Sequence, residues 1–154
     1  MFHDLYRQQS RPVDGVFPAD RRGEMFPDCV ASSRHLHLWA PGDPIPDQGA
    51  RLLIGVAMWS GYDLNLLDVI EAAPLVPGRI DVFDVDTVRP DPTDLRQYIP
   101  GFVVDSHTPF VGLWLYGRLV ESASGYAARQ LVTRVCHLDP AVVEGVMQSV
   151  LTRT

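Results

Sequence analysis

Ser60 and Asp63 stand three apart in Trp59-Ser60-Gly61-Tyr62-Asp63, after an apolar run at 52–58 and before Leu66, Leu67 and Ile70 at helical spacing. Both residues therefore fall at a helix start, where a side-chain oxygen accepts a backbone N–H and a carboxylate meets the positive end of the dipole. Capping accounts for them; a sharper chemical reading gives the Ser60 and Tyr62 hydroxyls a thiol or peptide to bind. Cys29 lies in a proline-rich stretch and Cys136 near a helix end. Neither has the helix N-terminal placement that makes a thiol reactive, so both are expected to pack as small hydrophobes. His35 and His37 share one face of a strand, but a metal site needs a complete ligand set and no third ligand is evident. Asp81, Asp84 and Asp86, with Asp91 and Asp94, form an acidic stretch without calcium-loop spacing, interrupted by Pro90 and Pro92. Caps and solvated loop charges are the expectation there. No metal and no cofactor are expected.

The composition narrows the classes further. Of 154 residues, 46% are hydrophobic and 21% charged, which places the chain among ordinary globular domains. At that length roughly 70% of the unfolded surface can be buried, enough for one conventional core. The net charge of -6 argues against nucleic acid as a partner, because phosphate recognition needs a basic face. All 13 basic residues are arginine, which excludes Schiff-base chemistry, a phosphate-cradling lysine and lysine modification. No stretch has the apolar length of a signal peptide or a membrane helix. A cytoplasmic protein with reduced cysteines and no membrane partner is expected.

These candidates need elements to position them. Residues 1–50 contain six prolines and read as an irregular arm, with a short strand at 34–39 and a turn-rich piece at 40–49. The run at 52–58 reads as a central strand, 63–73 as a helix stopped by Pro74 and Pro77, and 79–85 as a second strand. Asp91-Pro92 opens a helix at 91–98. Residues 110–116 and 118–124 form a hairpin around Gly117, and a helix follows Gly125 to about His137. Asp139-Pro140 starts a last helix with Val142, Val143, Val146 and Val150 on one face. Strands linked through helices, plus an antiparallel hairpin, predict an α/β fold with a mixed central sheet.

That order resembles the thioredoxin fold, and local signatures strengthen the resemblance across residues 51–135. Trp59-Ser60-Gly61-Tyr62-Asp63 resembles the thioredoxin Trp-Cys-Gly-Pro-Cys loop. Thr108-Pro109 resembles the family's cis-proline before the hairpin, and Gly117 and Gly125 fit its turn and its helix start. The resemblance implies a three-layer α/β/α domain over 1–154. It divides into a proline-rich extension (1–50), a thioredoxin-like core (51–137) and an extra C-terminal helix (138–154). It also implies that Ser60 and Asp63 replace the two cysteines, Ile54 the buried acid and Val82 its lysine neighbour.

With four parts of one reaction missing, no dithiol–disulfide oxidoreductase activity is expected. The leading expectation is a redox-inactive protein-binding module, an assembly or chaperone-like accessory. Its groove would be built by Trp59, Ser60, Tyr62, Asp63, Thr108, Pro109 and Phe110. The alternative is a glutathione- or thiol-dependent enzyme using a non-CxxC site, and a homodimer through the last helix is a third reading.

Overall fold

The structure, a computed structural model, describes residues 2–7, 22–40, 43, 49–74, 76, 78–85 and 107–138. In chain order these form α1 (His3–Arg7), α2 (Arg22–Ala31), β1 (Leu36–Leu38), β2 (Ala50–Val56), α3 (Gly61–Ala72), β3 (Arg79–Asp84), β4 (Phe110–Leu115), β5 (Arg118–Ser124) and α4 (Gly125–Val135). The strands make one five-stranded mixed sheet in the order β1-β3-β2-β4-β5. β1, β3 and β2 run parallel, and β4 and β5 are added antiparallel.

β2 has neighbours on both sides and is buried from Arg51 to Val56, which explains its unbroken apolar run. The hairpin turns on Tyr116 (φ 51) and Gly117 (φ 78). Two left-handed residues match the right-handed twist of the strands they join, and glycine takes the second place without steric cost. Across the hairpin the register shifts at Leu113/Trp114, leaving Val120 as an extra residue in β5.

The sheet's pleat divides the core. Leu52, Ile54, Val56, Ile80, Val82, Val111 and Leu113 share one cluster with the apolar side chains of all four helices. The other cluster holds Trp39, Leu53, Phe83, Phe110 and Trp114. The helices expected at 91–98 and after Asp139, like most of the turn-rich piece at 40–49, lie outside the described residues. No helix among the described residues is long and apolar enough to cross a membrane.

Two expectations are corrected. The N-terminal stretch is not wholly irregular, since it contains α1 and α2, and Cys29 lies within α2. Pro27 sits inside α2 on its exposed side and forfeits one helix hydrogen bond. Burial of Phe26 and Val30, with Met25 and Cys29 packed beside them, outweighs that loss. Phe2 and Leu5 are also core residues. Their segment is fixed by Asp68 of α3, which accepts the backbone N–H of Phe2 (2.6 Å) and His3 (2.8 Å) and lies 2.6 Å from His3 Nδ1.

The second correction concerns the acidic stretch. Asp81 and Asp84 are buried residues of β3, not solvated loop charges. Asp81 Oδ2 accepts from Arg51 Nε at 2.7 Å and Oδ1 from Arg79 Nε at 3.1 Å, so arginines from two strands hold it. Asp86, Asp91 and Asp94 lie outside the described residues. No cluster among the described residues has the His, Cys, Asp or Glu set to hold a metal ion.

Candidate functional site

β2 ends at Val56, and the chain reaches α3 through Ala57, Met58, Trp59 and Ser60. Ser60 is the N-cap of α3: its backbone is extended (φ -98, ψ 104), and its Oγ accepts from the Asp63 N–H at 3.3 Å. The loop is closed from below by Ser60 N–H donating to the Ala57 carbonyl at 3.0 Å. α3 therefore begins at Gly61, two residues ahead of the sequence expectation.

Asp63 is not the cap. Its carboxyl turns inward, is 0% exposed, and accepts the Ala57 N–H on Oδ2 at 3.0 Å, tying the end of β2 to the first turn of α3. Its Oδ1 is buried and has no hydrogen-bonding partner among the described residues. Burial pushes this carboxyl above the usual aspartate range. The Ala57 N–H, the Thr108 and Ser60 hydroxyls and the Arg129 charge pull the other way without cancelling it.

The remaining residues arrive from β4 and α4. The Thr108–Pro109 peptide bond is cis, and the Pro109 carbonyl accepts the Gly125 N–H at 2.9 Å. Gly125 (φ +61) starts α4 against His107, where a Cβ would lie 3.2 Å from the histidine Cβ, a tight approach, and the left-handed backbone favours glycine. One turn later Arg129 lies over the Tyr62 ring, 5.4 Å from its centroid. Sequence reasoning missed Arg129. Its signal is the spacing from Gly125, since residues four apart share a helix face.

The seven expected groove residues thus sort by exposure. Trp59 is 64% exposed, and Tyr62 and Thr108 are half-buried. Ser60, Asp63, Pro109 and Phe110 are buried, Phe110 among the aromatic residues of the second core cluster. Ile54 and Val82, the residues expected to replace the buried acid and its lysine neighbour, are register partners with no exposed surface.

The arrangement offers little thiol chemistry. Burial raises the Cys29 thiol above its ordinary value and pushes Cys136 up to about 11, so both are protonated at neutral pH. The histidine pair is also separated in use. His35 precedes β1 with its Nε2 2.6 Å from the Ala73 carbonyl, while His37 is exposed on the strand. No family model, curated protein or solved structure matches this chain.

Proposed function

We propose that this chain is a thioredoxin-like protein without dithiol chemistry that works by binding another protein or peptide, as an assembly or chaperone-like accessory module. The observation that carries the reading is the loop after β2. Where thioredoxins have thiols it has Ser60, engaged as the cap of α3, and the wholly buried Asp63, while Trp59 between strand and cap projects into solvent. A large aromatic side chain at 64% exposure contributes nothing there to the core, whereas tryptophan is among the residues that most often anchor an interface. The sheet order, and Thr108-Pro109 reaching the same loop, support the scaffold part of the reading.

The test is affinity capture from native cell extract with the intact protein and with a Trp59→Ala/Tyr62→Ala variant, read by mass spectrometry. A partner held by the intact protein and lost by the variant is expected; retention by the variant places the interface elsewhere. Insulin reduction by the purified protein is expected to be absent, and measurable turnover would overturn the reading.

A further inference from the structure

We propose that β5 is a dimerisation edge, pairing antiparallel with the β5 of a second copy of this chain across a two-fold axis. β5 ends the sheet, and among the described residues no strand lies on its outer side. Of the six large apolar side chains exposed among the described residues, Leu115, Tyr116, Val120 and Tyr126 lie on the hairpin or beside it. Tyr116 is 75% exposed and also holds a left-handed backbone (φ 51), an uncommon conformation for an aromatic residue.

The spacing of the outward backbone groups selects a second copy as the occupant. Tyr116 N–H donates to the Gly49 carbonyl on the β2 side, and the Pro109 carbonyl accepts from Gly125 N–H on the β5 side. Even-numbered residues of β4 therefore face β2 and odd-numbered ones face β5. Arg118, Glu121 and Ala123, opposite Leu115, Leu113 and Val111, turn their backbone groups toward β4, which leaves those of Leu119 and Ser122 outward. In a regular strand outward positions recur every two residues, but the extra residue Val120 makes this interval three. A regular strand cannot match that interval. A second β5 does: Leu119 pairs with Ser122 of the other copy, and the two insertions lie opposite each other.

The side chains fit the same register. Leu119 and Ser122, opposite Trp114 and Gly112, share one face of the sheet, as paired residues must. Arg118, Glu121 and Ala123 share the other. Arg118 of each copy faces Ala123 of the second, within diagonal reach of its Glu121, and the two-fold makes this contact twice. Glu121 Oε2 also accepts from Arg134 of its own α4 at 2.7 Å, which leaves Oε1 for the second copy. Tyr116 of each copy meets the corner at Gly125 and Tyr126 of the other. The opposite edge of the sheet, β1, takes no part, so the pairing closes at two copies. The Trp59 loop follows β2, which β4 separates from this edge, so the dimer is independent of binding there.

The test is sedimentation velocity of the full chain at micromolar to sub-millimolar concentration. A species of twice the 17.1 kDa chain is expected. Ser122→Pro removes an outward N–H that the sheet of one copy does not use, and a monomer with an unchanged far-ultraviolet spectrum is expected. Arg118→Glu and Glu121→Arg each set like charges together and are expected to weaken self-association about tenfold. Mixed, these two variants are complementary, and a heterodimer is expected; this arm decides the matter if Ser122→Pro does not fold. A monomeric unaltered chain, a dimer that survives Ser122→Pro, or charge variants that fail to associate on mixing would overturn the proposal.

Discussion

At Ser60 and Asp63, two oxygen-bearing residues three apart do different work, and their difference sets what substitution will do. Ser60→Ala removes a cap acceptor and is expected to cost about 1 kcal/mol in chemical denaturation. Ser60→Cys places a thiol at the N-terminus of α3, where its pKa falls; alkylation faster than at Cys136 is expected. Insulin reduction by that variant is still expected to be absent, because Asp63 cannot resolve a mixed disulfide. Asp63→Asn keeps an oxygen for Ala57 and removes the buried charge. Because burial raises the folded-state pKa of Asp63, its stabilising contribution is present below the unfolded value of about 3.9. That contribution is lost as pH rises through the folded value. Asp63→Asn should therefore raise the melting temperature by several degrees at pH 7, with the gain shrinking as pH falls toward about 4. The inward turn of Asp63 was legible: Asp63, Leu66, Leu67 and Ile70 follow the i, i+3, i+4, i+7 spacing of one helix face, and all four are buried. Its chemical type, which favours a cap, masked its position.

At the scale of elements, apolar periodicity served well where one pattern ran unbroken. The central strand expected at 52–58 and found at Ala50–Val56, the hairpin around Gly117 and the helix after Gly125 were readable because apolar pattern, turn residues and helical spacing agreed. α2 was hidden by Pro27 although Phe26 and Val30 carry a helical stripe, since proline marks a break locally and tertiary packing decides globally. α1 was hidden differently: five residues are too few to make a helix alone, and its stability comes from Asp68, 61 positions beyond Arg7. Burial would raise the Asp68 carboxyl, but the backbone N–H groups of His3 and Phe2 and the His3 ring hold it below the usual range. Such a carboxylate stabilises the fold above the unfolded value of about 3.9, and the contribution is lost as pH falls through the folded value. Asp68→Ala is expected to cost about 1–3 kcal/mol at pH 7 by urea denaturation. The deficit relative to the unaltered protein should narrow as pH falls below about 4.

At the scale of the whole sheet, the two ends carry different groups. The parallel strands β2 and β3 direct their carboxyl ends toward the Trp59 loop and Asp84, and β4 enters at that end from Pro109. In open α/β sheets this is the end where ligands collect. At the amino end Arg51 and Arg79 hold Asp81, with Arg51 4% and Asp81 0% exposed. Sequence alone could not pair them, because the contact depends on the register that sets Arg51 opposite Arg79 and Leu53 opposite Asp81. Asp81→Ala leaves the buried Arg51 guanidinium without this carboxylate and is expected to cost about 3–5 kcal/mol. Asp81 stands opposite Leu53, four residues before Ala57, a span of roughly 13 Å at about 3.3 Å per residue. At that separation, urea denaturation of Ser60→Ala, Asp81→Ala and the double variant should be additive to within about 0.5 kcal/mol. Acrylamide quenching of the exposed Trp59 should follow only the Ser60 change. A larger coupling, or a Trp59 signal altered by Asp81→Ala alone, would mean that β2 transmits changes between its ends and that the loop cannot be tuned apart from the sheet's stability.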